Sequence, residues 1–206
     1  MFKLSQYCIY FLKEIIQITI TLLHSSPLIK RRLFVFEDTS FLELHHIIQI
    51  AMGWKNYHLF EFIVYGYRIG IVDESEFGFV NNHVLAAKTV TLFDIITSEE
   101  DSFQYRYDFG DCWIHEISIE KWGEVEDNGV YPLCVDGQLN CPPEDCGGIE
   151  GYYGLLKVLQ DKTHPEYDRM SHWVGPNFDP EKFDKARVKR QLKTLQKYIS
   201  RWNAVN

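Results

Sequence analysis

The stretch Phe103-Gln104-Tyr105-Arg106-Tyr107-Asp108-Phe109-Gly110-Asp111-Cys112-Trp113-Ile114-His115-Glu116-Ile117-Ser118-Ile119-Glu120-Lys121 alternates apolar and polar residues on both sides of a Gly-Asp turn. Successive side chains of a strand point to opposite faces, so this alternation is what a sheet buried on one side requires. The spacing predicts a hairpin with Phe103, Tyr105, Tyr107 and Phe109 on one face of its first strand. Trp113, His115, Ile117 and Ile119 share a face of the second. Gly110 is expected to supply the unusual φ of the turn, while Asp108 and Asp111 accept from backbone amides.

The same period appears at Ile16, Ile18, Ile20 and Leu22, interleaved with Gln17, Thr19 and Thr21. Ser25-Ser26-Pro27 breaks it and Arg32 to Phe36 resumes it, which predicts a second hairpin. Ser40-Phe41-Leu42-Glu43 has capping-box spacing ahead of a helix with Phe41, Leu44, Ile48 and Ala51 on its buried stripe, closed by Gly53. His58, Phe60, Phe62 and Val64 predict a further strand, turned by Gly66 toward Arg68 to Val72. Asp73 to His83 reads as a surface loop, and Thr91 to Asp94 opens a short helix. Residues 123 to 151 show no apolar period and read as one long loop. Helices follow from Gly151 to Leu159 and from Pro165 to Trp173. Val188, Leu192, Leu195, Ile199 and Trp202 then mark a single amphipathic terminal helix from Asp184 onward. Hairpins interspersed with helices give an α+β fold, antiparallel hairpins packed against several helices. Residues 1–14 form an N-terminal extension and residues 15–206 one domain, the terminal helix included.

A chain of 206 residues, 46% apolar and 15% aromatic, has the bulk for one sizeable core and is neither disordered nor collagen-like. Ile15 to Ile29 is uncharged, but Gln17, Thr19, Thr21 and His24 interrupt it too often for a membrane span. Tyr7 to Leu12 is too short for an export signal, and Lys13-Glu14 follows instead of a cleavage site. The chain therefore reads as cytoplasmic, and its five cysteines as thiols or metal ligands rather than a disulfide scaffold. A net charge of −8 argues against nucleic-acid binding over the whole surface. Charge is unevenly spread. Asp94 to Glu150 holds 15 acidic and 2 basic residues, and the chain from Glu181 onward 8 basic and 2 acidic.

Four blocks carry a resemblance. Leu44-His45 through Gln49 with Met52-Gly53-Trp54 and His58-Leu59, then Tyr107 to His115, then Tyr131-Pro132, then Cys141-Pro142-Pro143-Glu144-Asp145-Cys146-Gly147-Gly148 resemble the plasmid pRiA4b ORF-3-like family in order and spacing over about residues 15 to 195. The resemblance implies a protein of bacteria and archaea, often encoded beside plasmid or insertion-element genes, some members carrying the label of TnpR-type resolvases. It implies no defined activity. A resolvase needs a nucleophilic serine among arginines and a DNA-binding helical motif, and no helix-turn-helix is evident here. The family commonly has a second histidine two residues after the first of its HLH block, where this chain has Phe60.

Among groups that could carry chemistry, Asp108-Phe109-Gly110 has the form of a kinase magnesium motif, but the glycine-rich loop, strand lysine and catalytic-loop aspartate that must accompany it are missing. Cys134, Cys141 and Cys146 sit on one loop and, with His115, could ligate zinc or another divalent cation. Alternatively they pack as small apolar residues on a loop shaped by Pro142-Pro143 and Gly147-Gly148. Cys112 and His115 would point to opposite strand faces, which opposes a thiol–imidazole pair. Asp108, Asp111, His115, Glu144 and Asp145 are the candidate binding residues, forming a polar site where the loop meets the hairpin. Glu144 and Asp145 could instead cap the following helix or pair with Arg31, Arg32 or Arg68. No catalytic residue is assigned. The sequence favours a binding or interaction module, associated with mobile elements and facing an unknown protein or a basic ligand. The alternative is a metal-dependent enzyme using the 134–146 loop and the 108–115 hairpin.

Overall fold

Ile16, Ile18, Ile20 and Leu22 of strand β1 (Glu14–Leu22) are all buried, while Gln17 and Thr19 between them stay partly open to solvent. This asymmetry runs through the sheet. The computed structural model describes residues 14–72, 84–126 and 129–204. The loop expected over 73–83, and the extension expected over 1–14 apart from Glu14, lie outside the described residues. Strands β2 (Ile29–Phe36), β3 (Phe60–Val64), β4 (Tyr67–Gly70), β5 (Val84–Ala86), β6 (Ser102–Tyr107), β7 (Trp113–Glu124) and β8 (Leu133–Gln138) complete one sheet in the order β5-β4-β3-β6-β7-β1-β2-β8. All neighbours are antiparallel except β4 and β5.

Register brings the apolar positions together. Tyr107 faces Trp113, Tyr105 faces His115, and Phe103 faces Ile117 across the predicted hairpin. Ile18 and Ile20 of β1 face Ile119 and Ile117, and Phe60 and Phe62 face Tyr107 and Tyr105. Helix α1 (Phe41–Met52) starts where Ser40 accepts from the Glu43 amide at 3.1 Å and ends at Gly53, in the left-handed region with φ 95°. It lies on this face, with Phe41 edge-on to Phe62 and Phe103 at 5.0 and 5.8 Å between centroids and His45 stacked on Phe60 at 3.6 Å. On the open face Glu120 accepts from Thr19 at 2.6 Å and pairs with Arg32 at 2.9 Å, and Glu61 pairs with Arg68 and Arg106. The fold is thus α+β, with helices α2 (Leu92–Ile95), α3 (Gly148–Gln160), α4 (Tyr167–Val174), α5 (Lys185–Leu192) and α6 (Leu195–Asn203). No helix among the described residues is long and apolar enough to cross a membrane.

Four expectations are corrected. Within residues 123–151 lies β8, an edge strand on β2 whose only buried residue is Cys134, too little apolar content to leave a period. The terminal helix is two helices. Thr194 folds its hydroxyl onto the Gln191 carbonyl at 2.9 Å and breaks the run, yet Val188, Leu192 and Leu195 remain buried in the common core. Phe109 is 45% exposed, because Asp108 (φ 56°) ends the strand before it, and its ring lies under the Arg106 guanidinium at 4.7 Å. The positive φ values of the turn belong to Asp108 and Cys112, with no such value at Gly110.

Trp113 is the largest fully buried side chain and touches Trp54 at 5.9 Å. Trp113→Ala is expected to lower stability by about 3–5 kcal/mol in urea denaturation. An unchanged midpoint would contradict this packing.

Candidate functional site

Where α1 ends, the left-handed Gly53 turns Trp54 into the core, stacked on Tyr107 at 4.9 Å. The Trp54 indole donates to the Pro142 carbonyl at 3.0 Å, which pins the Cys141–Gly148 segment. Glu144 then accepts from the Lys55 amide at 2.9 Å and from the Tyr107 hydroxyl at 2.7 Å, and that hydroxyl itself accepts from the Tyr57 amide at 3.0 Å. Burial and the Glu144 carboxylate push the Tyr107 hydroxyl far above the usual phenol range, so it stays a donor. On the other flank Asp111 accepts from the Gly147 amide at 3.2 Å. Gly148 follows at φ 67°, and a Cβ there would come within 2.5 Å of the Asp111 carbonyl, so only glycine allows this approach.

Asp108, almost fully buried, accepts from the Gly110 and Asp111 amides at 2.9 and 3.3 Å, as the turn requires. Its second oxygen lies 3.6 Å from His58 Nε2, which is 3.0 Å from Asp145 Oδ1. One ligand atom from each of His58, Asp108 and Asp145 therefore falls within 4.8 Å of the others, and this is the one such trio of potential metal ligands among the described residues. Loop and hairpin thus meet through Asp108, Asp111, Glu144 and Asp145. Glu144 and Asp145 do not engage Arg31, Arg32 or Arg68, and the residue capping helix α3 is Gly147 instead of either carboxylate.

The remaining candidates are dispersed. Cys134, Cys141, Cys146 and His115 do not bring three ligand atoms within 4.8 Å of one another. Burial raises the Cys134 thiol to about 11 and the Cys146 thiol to about 12, and lifts Cys141 further still, although Arg31 opposes the rise at Cys134 and Cys141. These groups are thiols at neutral pH. His115 is fully buried, edge-on to Trp54 at 5.3 Å, without a well-formed hydrogen bond at either ring nitrogen, and burial lowers its pKa to about 3. Cys112 is exposed on the turn, away from it.

Beside the pinned loop opens a cleft of about 750 Å³, bounded by Trp54, Lys55, Asp145, Trp173, Lys182 and Arg187, with Arg31 also reaching it. Two residues of this region escaped the sequence reading. His58 was expected as a strand position and as part of a block of the resemblance, but it precedes β3 and turns to the carboxylates. Arg31 occupies an inward position of β2, between Ile29 and Leu33. Extending the Leu33–Val35 alternation back by one step would have found it.

The family model described as plasmid pRiA4b ORF-3-like protein matches residues 14–187. An uncharacterized protein, y4hQ, of Sinorhizobium fredii is 35% identical over 164 residues, covering 79% of this chain and 81% of that protein. The crystal structure of a protein of unknown function, MM3350, from Methanosarcina mazei Go1 superposes with a TM-score of 0.77 at 34% identity, covering 84% of this chain and 97% of the other.

The buried imidazoles set a pH dependence. His115 at about 3 and His46 at about 4 lie below the ordinary value near 6.5 that each regains on unfolding. Below pH 6.5 the unfolded chain takes up protons that the folded chain refuses, so stability is full above that pH and falls as pH drops toward the folded values. His115→Leu is expected to reduce the loss between pH 8 and pH 5 by about 2 kcal/mol in urea denaturation. An equal loss in both proteins would place His115 in an environment where it can be charged.

Proposed function

The chain belongs to the plasmid pRiA4b ORF-3-like family, and we propose that it is a binding module whose ligand occupies the cleft between Trp54, the 140–145 loop and the 173–187 segment. The carrying observation is the cleft itself, about 750 Å³ of open space against a wall fixed by Trp54, Tyr107 and Glu144. A preformed wall lowers the ordering cost of binding. Binding is favoured over catalysis because the buried thiols and His115 are held uncharged, and Tyr107 and Glu144 are committed to each other. The plasmid reading frame in the family's name supports a setting among mobile elements.

A second reading is a metal-dependent enzyme at the hairpin and loop, favoured by the convergence of His58, Asp108 and Asp145. One imidazole and two carboxylates suit zinc or manganese, and the cysteines take no part.

Amide and indole NMR shifts, recorded with a panel of small acids, bases and neutral heterocycles, test the first reading. Perturbations centred on Trp54 and Trp173 are expected, and a cleft silent to every compound would contradict it. Added Mn²⁺ tests the second. Selective broadening at His58 and Asp145 that disappears in Asp145→Asn supports a metal site, and uniform broadening removes it.

A further inference from the structure

We infer that the cleft recognises an oxyanion, the phosphate or carboxylate group of a small ligand, with Arg31 as its buried anchor. This rests on the cleft being the ligand site. Arg31 is only 1% exposed, on the core face of β2. Its Nε donates to the Ala51 carbonyl at 2.8 Å, and its Nη1 to the Lys30 and Gln138 carbonyls at 2.7 and 2.9 Å. No carboxylate among the described residues pairs with it, and no protein acceptor there takes the two N–H groups of Nη2. The side chain nevertheless lines the cleft. An isolated buried guanidinium is costly, and arginine keeps its proton where lysine would lose it. Its ionisable neighbours Cys134 and Cys141 remain thiols and give no compensating charge.

The surroundings hold this cation rigidly. The Phe183 ring covers the guanidinium carbon at 4.1 Å. That ring lies so close to Gly137 that a Cβ would meet it at 2.2 Å, so glycine is required there for Phe183 to reach Arg31. Lys55, Lys182 and Arg187 add further positive charge to the walls.

Four carboxylates, Glu144, Asp145, Asp179 and Asp184, also line the cleft, and each is held by a partner of the local fold. Glu144 holds Lys55 N–H and Tyr107, Asp145 faces His58, Asp179 accepts from the Glu181 amide at 3.0 Å, and Asp184 accepts from the Arg187 amide at 2.8 Å. Arg31 Nη2 is a buried cationic donor of the cleft for which no protein acceptor is found among the described residues. The two N–H groups of Nη2 are charge-assisted donors of the kind that phosphate and carboxylate oxygens accept.

Titration calorimetry at low ionic strength with inorganic phosphate and with citrate tests the proposal, using the full chain, the Lys182→Gln/Arg187→Gln double variant and Arg31→Gln. Saturable binding of at least one anion is expected, weakened at least tenfold in the double variant and lost in Arg31→Gln. Binding of phosphate alone identifies a phosphate ligand, and of citrate alone a carboxylate. Should Arg31→Gln fail to fold, as its three carbonyl contacts would allow, the double variant decides. No binding of either anion, or binding indifferent to Lys182 and Arg187, overturns the proposal. Cleft-centred NMR shifts with spermine but neither anion would overturn it too, while leaving the cleft as a binding site for cations.

Discussion

Covering only one face of an eight-stranded sheet is the constraint from which the rest follows. Strands β1 and β7 pair over almost their whole length and join two hairpins into one surface, so their inward residues must form a single register. Isoleucines fill the middle of that surface, and Tyr105, Tyr107 and Trp113 its end near the β6–β7 turn. The large rings there keep their polar ends bonded: Tyr105 receives Gln49 at 3.0 Å and Tyr107 gives to Glu144. The apolar core therefore ends in a polar margin, and it is on that margin that the 140–148 loop docks.

This margin also explains why many charges of an acidic stretch are not free. Asp108 and Asp111 bond backbone amides across the turn and loop, Glu144 bridges α1 to β6, and Glu120 is held between Thr19 and Arg32. Each replaces water with a fixed partner, which sets the position of the carboxylate and leaves its charge unchanged. Arg31 by contrast is held by three carbonyls and the Phe183 ring, and no carboxylate among the described residues pairs with it. In a protein of net charge −8 the cleft carries as many cations as carboxylates, Arg31, Lys55, Lys182 and Arg187 beside Glu144, Asp145, Asp179 and Asp184.

The α+β class, the β1–β2 and β6–β7 hairpins and the Ser40 helix start were legible because alternation and capping are local. What escaped depends on distant partners. Strand β8 is defined by hydrogen bonds to β2 rather than by apolar content, and the Lys193–Thr194 joint preserves the helical period it interrupts. That the 140–148 loop lies against the hairpin followed from a turn rich in Asp and Gly and a loop stiffened by two prolines, but the bonds of Asp111 to Gly147 and of Glu144 to Lys55 and Tyr107 that hold it there did not. His58 and Arg31 were missed because a histidine before a strand and an arginine within one look ordinary until the fold shows what faces them. His115 is the converse case, a residue suited to chemistry that the register buries among rings.

Arg31 stands at the cleft with no carboxylate partner among the described residues, and diffraction from crystals soaked in sodium tungstate tests its part in binding most directly. Tungstate is a heavy oxyanion with a strong anomalous signal. An anomalous peak is expected within hydrogen-bonding distance of Arg31 Nη2, flanked by Arg187 and Lys182. An empty cleft in crystals that hold tungstate elsewhere, with Arg31 Nη2 bonded instead to a carboxylate of the protein, would contradict it.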